Sequence, residues 1–177
     1  MNFITQDALL DQLLAEHSSQ LGADLRAYTN HCYRVFNLAL LMTDPQADTG
    51  EKLSIACAFH DLGIWTDNTF DYIDPSVDLA QAYLEKIGKP GWSDEVSQMI
   101  SEHHKVTSSS GSDLVEKFRQ ADWIDVTMGM RSFGIDRLTI RALYEVFPTH
   151  GFHKRLAQLS AHDFVKHPLK PLPMFRW

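Results

Sequence analysis

Apolar residues recur three and four positions apart along almost the whole chain, and no stretch sustains the strict alternation of a half-buried strand. That periodicity confines the fold to packed helices. The expectation is an all-α, single-domain helical bundle of about six to eight helices spanning residues 1–177. A chain of 177 residues, 44% of them hydrophobic, is long enough to bury one substantial core without disulfides or a structural metal.

Turn and cap signals divide the pattern. A first helix is expected from a Thr5 cap through Leu9, Leu10, Leu13 and Leu14. The second covers about 24–43 and stops at Asp44-Pro45, because a residue before proline is pushed out of helical geometry. The third covers about 51–62, with Gly63 as a left-handed terminator. Asp74-Pro75 starts a fourth that runs to Ile87, and a fifth follows Ser93. The small polar run Thr107 to Ser112 reads as a loop and a candidate mobile lid. Further helices fit 113–128, 136–146 and 150–166, and the proline-rich end from His167 to Pro173 reads as an extended tail.

Composition excludes several roles. A net charge of −7 argues against a binder of duplex nucleic acid, which needs a basic face to displace counterions. The charge is uneven, −10 over residues 1–112 against +3 over 113–177, which suits a small anionic ligand better than a polyanion. Met1 to Asp7 carries no signal-peptide pattern, and the longest apolar run, Leu38 to Met42, is far short of the roughly 20 residues that span a bilayer. The expected setting is cytoplasmic, with no membrane partner. Cys32 and Cys57 each fall in a helical pattern outside any CxxC pair and read as buried, reduced thiols.

Three ionisable residues share helical faces with apolar ones. His31 is in register with Val35, Leu38 and Met42, His60 with Leu53, Ala56 and Cys57, and Asp122 with Val115, Phe118 and Val126. A lone inward histidine is usually a hydrogen-bonded core residue. An inward aspartate is harder to accommodate, since an unpaired buried carboxylate costs several kcal/mol. One divalent cation would answer all of these groups together. Asp61 is adjacent to His60 and, near the helix end, can lean toward the same centre.

Helix-borne His31, the segment Ala56-Cys57-Ala58-Phe59-His60-Asp61-Leu62-Gly63 and the distant Asp122 resemble the HD-domain superfamily of metal-dependent phosphohydrolases, whose pattern is His, then His-Asp, then Asp. The likeness runs from about 25 to 128, leaving C-terminal helices and a tail over 129–177, and extends to Ile100-Ser101-Glu102-His103. It implies a helical bundle holding one divalent metal ion (Mn, Fe, Co, Ni, Zn or Mg) on His31, His60, Asp61 and Asp122. Four protein ligands on a six-coordinate ion leave two positions for water and a phosphoryl oxygen, and the implied activity is hydrolysis of a small phosphate ester, such as a nucleotide or related phosphomonoester. Asp61 would orient the water. His103, inward beside Val96, Met99 and Ile100, would contact the phosphate or a second metal, with His104 about 100° around the helix. No histidine lies between 62 and 102, which counts against a two-metal centre.

Lys105 and Asp67 are candidate contacts at the mouth of the site. Trp65, Phe70 and Tyr72 read as packing, and Arg131, Arg137, Arg141, Lys154 and Arg155 as a solvated face. His17, His150, His153, His162 and His167 read as surface residues. The rival functions are an oxygenase or hydratase of the same type acting on a non-phosphate substrate, and a non-catalytic metal-bound regulatory module. A homodimer is an expectation from base rates alone.

Overall fold

A computed structural model describes residues 2–166, with side chains through 161. The proline-rich tail and the side chains of His162 and His167 lie outside the described residues. The periodic segments form α1 (Ala8–Glu16), α2 (Ser18–Leu21), α3 (Leu25–Met42), α4 (Thr49–Phe59), α5 (Gly63–Thr66), α6 (Ile73–Lys86), α7 (Ser93–Glu102), α8 (Asp113–Val126), α9 (Arg137–Val146) and α10 (Phe152–Lys166). Eight of these have nine residues or more, and α2 and α5 are single turns of four. No strand occurs among the described residues, so the fold is all-α, as the periodicity requires.

The long α3 is the axis of the bundle, packed most extensively on α8 and also on α4. Helix α4 passes through the middle: every residue from Leu53 to Phe59 is buried, so its apolar character runs all the way round. Its small residues Ser54, Ala56, Cys57 and Ala58 let neighbouring helices approach from several sides. Helices α6 and α7 pack on each other and on α4, and α7 also meets α8. Both cysteines are buried free thiols, as the helical pattern implies, and Cys32 Sγ donates to the Cys57 carbonyl (3.0 Å). No helix among the described residues is long and apolar enough to cross a membrane.

Two boundaries differ from the sequence expectation. Helix α1 is capped by Asp7, not Thr5: Asp7 Oδ1 accepts from the Leu10 amide (2.8 Å) and from the Ser54 hydroxyl (2.9 Å), so one carboxylate caps the helix and ties it to α4. Gly63 is no left-handed terminator, because it begins α5 and has no positive φ. Its role is close approach. A Cβ there would lie 2.6 Å from the Tyr72 carbonyl oxygen and 3.0 Å from Ser76 Oγ, which accepts from the Gly63 amide. Helix α6 begins at Ile73, and Pro75 sits in its first turn, where a missing N–H leaves no gap. The 107–112 segment is a loop, held where the Ser109 amide donates to Glu116 (2.7 Å) and where Ser112 caps α8.

Candidate metal centre

Four helix ends and faces converge between α3, α4, α7 and α8. His31 lies in the body of α3, His60 is the C-cap of α4, and Asp61 follows in the turn before α5. His103 is the C-cap of α7 and Asp122 lies in α8. His31, His60, His103 and Asp122 are 0% exposed and Asp61 is 2% exposed. After Phe59 the chain keeps helical dihedrals at His60 and Leu62 but tightens, with the Leu62 amide donating to Phe59 and the Ile64 amide to Asp61, and in this turn His60 and Asp61 face one point.

The distances define that point. The Nε2 atoms of His31 and His60 are 2.8 Å apart, and each lies 3.5 Å from Asp61 Oδ2. Asp122 Oδ1 is 3.7 Å from the first nitrogen and 3.8 Å from the second. His103 Nε2 approaches the other oxygen of Asp61 at 3.3 Å, and His104 Nδ1 approaches Asp122 Oδ2 at 3.6 Å. Two groups with metal-ligand spacing result, His31–His60–Asp61 and Asp61–His103–His104, joined through the two oxygens of Asp61.

Hydrogen bonding fixes which atoms are left for a ligand. The outer ring nitrogens are occupied: His31 Nδ1 lies 2.7 Å from Asp125 Oδ2, His60 Nδ1 2.9 Å from the Cys57 carbonyl, and His103 Nδ1 2.6 Å from the Ile100 carbonyl. Each Nδ1 therefore carries the proton, and in a neutral ring Nε2 presents a lone pair inward. Among the described residues Asp61 Oδ1, His103 Nε2 and both oxygens of Asp122 make no hydrogen bond.

This donor set fits a divalent ion. Two imidazole nitrogens at right angles, each about 2.1 Å from a metal, stand about 3 Å apart, close to the separation found. An extra proton can bridge the two rings, but it leaves Asp122 unserved, whereas a cation serves both rings and both carboxylates. Without an ion the charges are at odds. Burial pushes the Asp122 carboxyl up to about 7 and lowers His60 to about 3. For His31 burial works against the charged ring, but hydrogen bonds to Asp125 and Asp61 prevail and raise it to about 9.

The sequence missed the groups around this cluster. Asp125, three residues after Asp122, is fully buried and takes a two-point ion pair from Arg34, three residues after His31. The spacings His31-x-x-Arg34 and Asp122-x-x-Asp125 were visible, but which residues meet across α3 and α8 was not. His153 is half-buried, with Nε2 2.8 Å from the Asp125 carbonyl, so it is not the surface residue expected. Tyr72 is more than packing, since its hydroxyl hydrogen-bonds His104 Nε2 (2.7 Å). The Phe152 ring, at the start of α10, stacks on His31 with centroids 4.1 Å apart.

The remaining candidates have other partners. Lys105 Nζ is 3.5 Å from Glu102, and the Lys105 carbonyl accepts from Arg119 and Trp123. Asp67 is exposed at the end of α5 and accepts from the Thr66 hydroxyl (2.8 Å), with no ion pair to the His–Asp cluster among the described residues. Arg131, Arg137, Arg141 and Lys154 are exposed, as a solvated face requires; Arg131 lies over the Trp123 ring, and the partly buried Arg155 pairs with Asp24 (2.9 Å).

Comparison with curated proteins and with solved structures returns no match. The family model described as HD domain matches residues 28–127, more than half of the chain and a span that contains every member of the buried cluster. The chain belongs to the HD-domain family.

Proposed function

We propose that the protein is a metal-dependent hydrolase of a small phosphate ester, with a nucleotide or related phosphomonoester as the first candidate substrate. The observation that carries this reading is the pair of inward Nε2 atoms 2.8 Å apart beside an Asp122 carboxylate with no hydrogen bond. His31, His60, Asp61 and Asp122 would hold one divalent ion. When bound, such an ion supplies Lewis-acid polarisation and lowers the pKa of water.

The chain's own residues do the rest. Asp61 would turn Oδ2 toward the ion site, and its Oδ1, which faces His103 Nε2 at 3.3 Å, would orient a water and accept its proton. Burial disfavours a charged His103, yet in the metal-free protein Asp61 and Asp122 outweigh it and raise that ring above the ordinary histidine range. A protonated His103 is a suitable partner for a phosphoryl oxygen or leaving group. His104 is pushed well below that range by burial and by its neighbour His103, so it stays neutral and serves as a hydrogen-bonding wall with Tyr72. The Asp61–His103–His104 group also offers a place for a second ion, which metal stoichiometry decides.

One observation favours a second reading, hydration or oxidation of a small uncharged substrate. The centre is almost wholly buried, and the buried cation Arg34 is committed to Asp125 rather than turned toward substrate. A panel of phosphomonoesters, phosphodiesters, nucleotides and small neutral substrates, assayed with Mn, Fe, Co, Ni, Zn and Mg, separates the two. Phosphate release that is lost in His60→Ala supports the first; turnover confined to neutral substrates replaces it with the second. A protein that binds metal and turns over nothing on the panel is the regulatory module.

A further inference from the structure

The imidazoles of the cluster are not held alike. His60 and His103 each give their Nδ1 proton to a backbone carbonyl, whereas His31 gives its proton to the carboxylate of Asp125 (2.7 Å). That carboxylate is itself fully engaged. Arg34 donates through Nε to Oδ1 (2.5 Å) and through Nη2 to Oδ2 (2.9 Å), and the Tyr144 hydroxyl donates to Oδ1 (2.7 Å). Arg34 is anchored in turn by Nη1 on the Phe147 carbonyl (2.9 Å). Asp125, Arg34 and His31 are all 0% exposed, so this chain of contacts works where water does not screen it.

We propose that Asp125 is the positioning residue of the metal centre, setting His31 as its strongest imidazole donor, with Arg34 and Tyr144 holding Asp125 in place. The proposal rests on the metal-centre reading above. A carboxylate partner pins the Nδ1–H tautomer and raises the basicity of the inward Nε2 more than a neutral carbonyl does. Asparagine cannot reproduce this. With its amide nitrogen toward His31 it donates to Nδ1 and forces the proton onto Nε2, the atom the ion needs; turned the other way, it sets that nitrogen against the donors of Arg34 and Tyr144.

The test uses the full-length chain and Co(II) as probe, measuring affinity by competition with a chromophoric chelator and recording the visible absorption of the bound ion. Asp125→Asn is expected to bind Co(II) about 10- to 100-fold more weakly, with shifted absorption bands. Tyr144→Phe removes one hydrogen bond to Asp125 and leaves its charge pair intact, so it is expected to lose less, about threefold or more. Leu13→Ala, a core change on α1, lowers the unfolding midpoint and is expected to keep wild-type affinity and spectrum. Wild-type affinity and bands in Asp125→Asn overturn the proposal. Should that variant not fold, Tyr144→Phe decides alone, with weakened binding supporting the assignment and unchanged binding overturning it. Failure of the wild-type chain to take up Co(II) overturns the metal-centre reading itself, a result distinct from either.

Discussion

Helix α8 carries two fully buried aspartates one turn apart, and the fold treats them in opposite ways. Around Asp125 every lone pair is answered by Arg34, His31 or Tyr144, and although burial opposes its charge, Arg34 and His31 hold the carboxyl well below the usual range. Around Asp122 no described residue donates a hydrogen bond, and burial pushes its carboxyl up instead. A satisfied buried carboxylate is part of the scaffold. An orphaned one, kept at a cost, marks a place where something else binds.

The largest expected effect follows from removing the satisfied member. Asp125→Ala strands Arg34 in the interior, and loss of one partner of a buried pair costs about 3–5 kcal/mol. Denaturant unfolding of the metal-free variant checks this, and a loss below about 1 kcal/mol would remove the contrast between the two aspartates.

Removing the orphan should do the reverse. In metal-free protein Asp122→Asn takes away an uncompensated charge, so at neutral pH the variant is expected to match or exceed the wild type, by about 1–3 kcal/mol at most. The sign in pH follows from the raised carboxyl. Between the unfolded value of 3.8 and the folded value of about 7 the native state binds more protons, so metal-free wild type loses this contribution as pH rises through that window. Unfolding curves at pH 4 to 8 should show the wild-type-minus-variant difference falling across this range; a flat difference would mean that Asp122 is compensated after all.

The smallest effect belongs to a third acidic residue of the same helix. Glu116, nearer the surface, is opposed by burial, but hydrogen bonds from Arg119 and the Ser109 amide hold it at about 2. Its contribution is present above pH 4.5 and is lost as pH falls toward about 2, and solvent screening keeps it under about 1 kcal/mol. Glu116→Gln should therefore lower stability slightly at pH 7 and leave it unchanged near pH 2, which thermal unfolding at the two values measures.

The Asp122 half of this contrast was legible in the residues. Periodicity located the helices and placed His31, His60, His103 and Asp122 on inward faces, because helical register depends only on the chain's own spacing. What it could not supply was pairing across helices. Nothing in the spacing singled out Asp125 or Arg34, whose pairing exists only where α3 lies against α8, and His153 looked solvent-facing until α10 folded back. Local readings failed where a distant group intervened: Asp7 took the cap from Thr5 because Tyr33 and Ser54 hold it, and Gly63 is needed for room beside Tyr72 rather than for a left-handed turn.

Metal content is the most direct measurement of whether the cluster binds an ion. The wild type and Asp122→Asn would each be loaded with a transition metal, freed of excess and analysed for metal per chain. About one ion per chain in the wild type, with none retained by the folded variant, is the predicted result. A wild-type chain that holds no ion, or a variant that holds as much as the wild type, would contradict it.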